Sequence, residues 1–169
     1  KFVVCTDAGL ASEANRKFND KEDRAFITTQ SIKKLKKHLK KWALDPDGWH
    51  LANDDKIYNI TEFNEEKDVE KIYYKERWIK EKGLEQRMIV TYSIKYKDYQ
   101  RKIRKSQIKR AEKVINTNPK KLKKVNQNDF KRFIAKTSYT ADGEQAKKEV
   151  YSINTDLILK EEAFDGFYA

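Results

Sequence analysis

Two groups of residues in this 169-residue sequence have the types and spacing to do chemistry. The first is one carboxylate, Asp7, which follows the run Phe2-Val3-Val4-Cys5-Thr6 and precedes Ala8-Gly9-Leu10. An apolar, β-branched run of this kind predicts a strand buried on both faces. Open α/β sheets place their chemistry at the carboxyl ends of such strands, where a carboxylate offers oxygen to a hard cation such as Mg²⁺. An Asp that merely ends a strand and starts a turn fits the same local sequence. The second group is cationic. Lys95, Lys102, Lys105 and Lys109 fall on one face of a predicted helix, with Arg101 and Arg104 nearby. A row advancing about 1.5 Å per residue suits phosphate contacts, which supply affinity and register but little sequence information. Each lysine alone is equally well explained as a solvated surface residue.

Other chemistry-bearing residues are weaker candidates. His38 lies among lysines and His50 follows a turn; neither has partners at metal-ligand spacing. The lone Cys5 excludes an internal disulfide and a cysteine-rich zinc site, and reads as a small buried hydrophobe. Asp45-Pro46-Asp47-Gly48 has the start of a calcium loop without the remaining ligand spacing, and is predicted to be a turn. Trp42 belongs to an apolar helical stripe. Trp49 and Trp78 are expected to pack, although either has the π-face to stack on an unpaired base.

The elements that must position these residues follow from periodicity. After the strand at 2–6, Ser12 caps a short helix to about Asn19, with Leu10, Ala14 and Phe18 facing the sheet. Ala25 to Thr29 forms the next strand, which predicts a parallel strand–helix–strand crossover. A helix from Ser31 to Leu44 carries Ile32, Leu35, Leu39 and Trp42 on one face and lysines (Lys33, Lys34, Lys36, Lys37, Lys40, Lys41) on the rest. Strands at 58–61, 69–79 and 88–92, with a turn at Lys82-Gly83, predict an antiparallel β subdomain. A long helix from about Lys95 to Ile115 follows, with Tyr96, Tyr99, Ile103, Ala111 and Val114 as its apolar side. Residues 120–136 have a weak helical pattern, Asp142-Gly143 a turn, Glu149 to Leu159 a strand, and Asp165-Gly166 a turn into a last strand.

Composition bounds the partners. Lys and Arg total 38 against 27 Asp and Glu, a net charge of +11, which favours polyanions such as nucleic acid. Aromatics at 12% are too many for a disordered chain. No apolar run reaches the length of a membrane span and no signal peptide is visible, so the cytoplasm is the expected compartment. The start at Lys1 directly before a strand, and the finish within Phe167-Tyr168-Ala169, are those expected of a fragment.

The run Val3 to Leu10 resembles the strand carrying the second acidic residue of insertion-sequence DDE transposases. The similarity continues through Ser12-Glu13-Ala14-Asn15, Ala25-Phe26-Ile27, Gln86-Arg87-Met88-Ile89-Val90-Thr91-Tyr92-Ser93 and Tyr99-Gln100-Arg101-Lys102-Ile103-Arg104, closing at Phe164-Asp165-Gly166-Phe167-Tyr168. The motifs are individually weak, and their order and spacing carry the resemblance. It implies an α/β (α+β) fold: a partial ribonuclease-H-like catalytic core at 1–45, an insertion subdomain of strands and a long basic helix at 46–163, and the start of a returning core strand at 164–169. It also implies metal-dependent DNA strand cleavage and transfer, with two Mg²⁺ (or Mn²⁺) ions in the full-length enzyme. Asp7 matches the second acidic residue, and so is the expected catalytic and metal-binding residue. The first and third acids would lie outside these residues, so the fragment alone is expected to be inactive. Implied partners are double-stranded DNA, both transposon ends and target, and a second copy of the protein assembled on paired ends; Lys95, Arg101, Lys102, Arg104, Lys105 and Lys109 are the expected DNA contacts.

Two other classes fit the same charge. One is a noncatalytic basic nucleic-acid-binding module in which Asp7 only ends a strand. The other is an interaction domain whose cationic helices meet an acidic protein or an anionic membrane, for which Trp42 and few aliphatics are available to insert.

Overall fold

The computed structural model describes residues 2–117, 129–139 and 148–169. The architecture is mixed α+β. The chain divides into two compact units, one of residues 1–97 with 166–169 and one of residues 98–165.

The first unit begins with β1 (Phe2–Thr6), α1 (Glu13–Asn19) and β2 (Arg24–Thr28). β1 and β2 pair in parallel, from Phe2 opposite Arg24 to Thr6 opposite Thr28, as the strand–helix–strand order predicts. Ser12 caps α1, its Oγ accepting from the Asn15 amide at 3.2 Å. Burial departs from expectation. Phe2, Val3, Leu10, Phe18 and Ile27 are all exposed, because this two-stranded sheet has little packed over it among the described residues. Phe18 meets the first residue of β2, the Arg24 guanidinium lying over its ring at 4.6 Å, but is not buried there. Cys5 is likewise exposed rather than buried.

The helix predicted from Ser31 to Leu44 is broken. A 3-10 turn at Ile32–Lys34 ends where Leu35 and Lys36 turn extended, and α2 spans only Lys37–Leu44. The interruption still buries Ile32, Leu35 and Leu39, but Ala43 replaces Trp42 as the fully buried residue of the last turn. Trp42 is half-buried beneath the Arg77 guanidinium.

Beyond the turn at 45–48, where the Asp47 amide donates to Asp45 Oδ1, a five-stranded antiparallel sheet forms. Its strands are β3 (Trp49–Leu51), β4 (Asp54–Tyr58), β5 (Tyr73–Glu81), β6 (Leu84–Tyr92) and β9 (Phe167–Tyr168), in the order β4-β3-β5-β6-β9. The antiparallel sheet is as predicted, with shifted boundaries and with β3 unforeseen. The strand expected at 58–61 ends at Tyr58, because Asn59 caps a 3-10 turn over Ile60–Glu62. The strand expected from Val69 starts only at Tyr73. Lys82 and Gly83 both have positive φ, the geometry of a two-residue hairpin turn whose twist matches the flanking strands. Along β6, Leu84, Val90 and Tyr92 turn inward at even spacing. Tyr92 meets Trp49, Phe63 and Phe167 in an aromatic core, with Phe63 stacked on Tyr73 at 3.9 Å and Tyr92 edge-on to Phe167 at 5.0 Å. Gly166, at φ +88°, is required there: a Cβ would lie 2.7 Å from the Tyr92 ring.

α3 (Ile94–Thr117) runs from the first unit into the second. The second unit also holds a 3-10 turn (Phe130–Phe133), the antiparallel pair β7 (Ile134–Tyr139) and β8 (Lys148–Ile153), and α4 (Thr155–Glu162). The strand expected to run to Leu159 stops at Ile153, because Asn154 accepts from the Leu157 amide at 3.0 Å and caps α4. Of residues 120–136, expected to be helical, Phe130–Phe133 form the 3-10 turn and residues 134–136 belong to β7 instead; residues 120–128, the end at Asn118-Pro119 and the turn at Asp142-Gly143 lie outside the described residues. The apolar side of α3 is rotated from the expected one. Tyr99 and Ile103 are exposed, while Ala111 is fully buried with Arg104 on the same side.

Candidate functional site

Asp7 stands one residue beyond β1, exposed, at the carboxyl end of a parallel strand. Its Oδ1 accepts from the amides of Gly9 at 2.9 Å and Leu10 at 3.3 Å, capping the 3-10 turn Ala8–Leu10. Those bonds fix the carboxylate relative to the strand end. Among the described residues nothing donates to Oδ2. No group of three or more His, Cys, Asp or Glu able to hold a metal occurs among them either. One oxygen therefore has a structural task, and the other is free to serve as a single metal ligand.

The cations of α3 separate into distinct environments. Lys95, in the first unit, pairs with Glu70 at 2.7 Å, both side chains exposed. Exposed pairs of this kind contribute about 0–1 kcal/mol, so a polyanion competes with Glu70 easily. In the second unit Lys102, Lys105 and Lys109 are exposed and form no ion pair among the described residues. Arg104 is different, at 6% exposure. Its Nη1 donates to Asp165 Oδ1 at 2.8 Å and its Nη2 to Asp165 Oδ2, a two-pronged pair that holds the guanidinium charged and its pKa above the ordinary value. Glu162 lies 3.8 Å from the same nitrogen, and Arg101 reaches the Asp165 carboxylate at 3.9 Å. An open groove of about 430 Å³ is lined here by Arg101, Arg104, Lys105, Lys109, Glu112 and Glu162. Its carboxylates offset much of its positive charge. Arg104 and Asp165 thus tie α3 to the chain after α4, and the free cations are the lysines.

Two other cations escape notice in the sequence. Lys75 alternates inward on β5, where Nζ donates to the carbonyls of Asp45 at 2.6 Å and Trp42 at 3.3 Å and lies 4.8 Å from the Trp49 ring centre. Burial lowers its pKa, and the carbonyls at the end of α2 compensate the ammonium. Its even spacing from the inward Tyr73 is the only sequence signal. Arg132 donates to both oxygens of Glu161 and to Gln107 Oε1, and lies over the Phe133 ring. Both are structural anchors rather than open charges.

The tryptophans divide as well. Trp49 is fully buried, its Nε1 donating to the Asp45 carbonyl at 3.0 Å, so its role is packing. Trp78 is exposed on β5, contrary to the expected packing, and keeps the face needed to stack on a base. His38 is exposed and His50 lies against Tyr74 at 5.8 Å. No helix among the described residues is long and apolar enough to cross a membrane. No family model, no curated protein and no solved structure matches this chain.

Proposed function

We propose that this chain is part of a DDE transposase, contributing Asp7 as one metal-binding carboxylate and α3 as a DNA-contacting surface. The observation that carries the reading is the placement of Asp7: exposed at the tip of a parallel strand, held by two backbone amides through one oxygen, with the other oxygen open. Parallel β1–α1–β2 is consistent with a partial ribonuclease-H-like core. Carboxylate oxygen suits Mg²⁺ or Mn²⁺. Paired divalent ions supply an activated nucleophile and stabilise the leaving oxygen in strand cleavage and transfer. The described residues provide one ligand and do not alone make a metal centre, so no catalytic step is assigned to them; on this reading the other two acidic ligands come from outside this sequence. The partner is double-stranded DNA, which the +11 charge and the unpaired lysines of α3 favour.

A second reading has its own observation. Asp7 is fully accounted for as a turn cap, and a basic DNA-binding module without catalysis needs nothing more from it. Asp7→Asn separates the two. Asn keeps the oxygen that accepts from Gly9 and Leu10 but loses the charge a metal needs. In the complete transposase polypeptide, Asp7→Asn is expected to retain folding and DNA binding while metal-dependent strand cleavage falls by at least about a hundredfold, the scale of losing one strong electrostatic contact to the reacting groups. Cleavage at the unsubstituted rate would leave Asp7 a cap and nothing else.

A further inference from the structure

We propose that the exposed face of α3 from Lys102 to Lys113 is a phosphate track that grips duplex DNA without reading its sequence, with Lys113 as its far end and Arg104 excluded from it. This rests on the DNA-binding reading above and adds which residues bind and what they recognise.

Lys102, Lys105, Lys109 and Lys113 are spaced by three, four and four residues, which keeps them on one face of a helix. All four are exposed and none forms an ion pair among the described residues. Arg104 and Ala111, the buried residues of this stretch, lie on the opposite face. The lysine face is therefore held outward by packing on the other side. From Lys102 to Lys113 the helix advances about 16 Å, a length over which one strand of a duplex presents about five phosphates. Four point charges on flexible stems match such a row closely enough to pair with most of it.

The chemistry of the face argues against base reading. Bidentate recognition of bases relies mainly on Arg, Asn and Gln. Here Arg104 is locked against Asp165 and Gln107 accepts from Arg132 on the packed side, while the exposed Arg110 lies about 100° around the helix from Lys109, at the edge of the lysine face. The lysines on the open face act as point charges. Single strands are held by aromatic stacking as well as charge, and from Gln100 to Thr117 α3 carries no aromatic residue. A duplex, gripped by its backbone, is the partner this face fits.

Binding of the 169-residue chain to two duplexes of equal length and unrelated sequence, measured across a range of NaCl concentrations, tests the proposal. The two duplexes are expected to bind alike. Lys113→Gln is expected to lower the slope of log K against log salt by about 0.9 on both, one phosphate contact's worth, while Lys67→Gln, an exposed lysine in the other unit, leaves it unchanged. Salt-dependent binding that Lys113→Gln does not alter would overturn the track and leave DNA binding standing. A loss on one duplex only would overturn its indifference to sequence. Absence of any salt-dependent binding by the unsubstituted chain would overturn the DNA-binding reading itself.

Discussion

Within the first unit, the parallel pair β1–β2 is the more apolar by sequence and the antiparallel sheet β3–β6 the more charged, yet burial runs the other way. β6 buries Leu84, Val90 and Tyr92, with Tyr92 packed against the rings of Trp49, Phe63 and Phe167. β1 and β2 leave Phe2 at 55% and Ile27 at 63% exposure. The pair is tied to the rest of the unit largely by polar links: Arg16 to Gln86 at 3.0 Å, Glu13 to Lys82 at 2.6 Å, and the Gln30 amide to the Ala169 carbonyl at 2.8 Å. Arg16 Nε is buried there without a partner, and an open, largely apolar hollow of about 320 Å³ lies between Ile27 on β2 and Met88 and Ile89 on β6. The lesson is that an apolar strand becomes a core strand only when something covers it. Side-chain chemistry supplies the demand, and neighbours supply the burial.

The largest test of that contrast is Trp49→Ala, which removes the centre of the aromatic core and the bond from Nε1 to the Asp45 carbonyl. A loss of about 3–5 kcal/mol in urea unfolding is expected. A loss under about 1 kcal/mol would mean that the antiparallel sheet is no better packed than the parallel pair.

A smaller effect separates the same regions at high pH. Burial, with Asp68 alongside, pushes the Tyr73 hydroxyl up to about 12 from an ordinary 10. The folded state thus holds its proton more tightly than the unfolded state does. The stability this confers is present below pH 10 and fades as pH rises from 10 through about 12. Tyr73→Phe should flatten the alkaline fall in melting temperature between those values; an unchanged fall would remove Tyr73 as its source.

The smallest effect belongs to the open region. Ile27→Ser on β2 is expected to change stability by less than about 0.5 kcal/mol in the same urea measurement, as for other exposed positions. A loss of 2 kcal/mol or more, the scale of a core position, would show that β2 is covered in solution and would erase the contrast.

Features governed by a few neighbouring residues were legible in the chain. Strand β1, the Ser12 cap, the Lys82-Gly83 hairpin and the Asp45–Gly48 turn depend on local backbone preference and on hydrogen bonds spanning two or three residues. Asp7 was visible as a candidate for the same reason, because an acid after an apolar run is a local pattern. Some local signals went unread: the caps Asn59 and Asn154 each turned an apolar stretch from strand into helix.

The sequence alone determined the chain's charge, its main helices and strands and the residue types available for chemistry. Only tertiary structure decided which of those residues face solvent. Arg101-Lys102-Ile103-Arg104-Lys105 gives no hint that Arg104 is buried, because its partner Asp165 stands 61 positions away. Lys75 is buried because two carbonyls more than 29 positions earlier accept its protons. A buried charge requires partners assembled across the fold. Such partners are fixed by packing between distant segments, to which local patterns are blind.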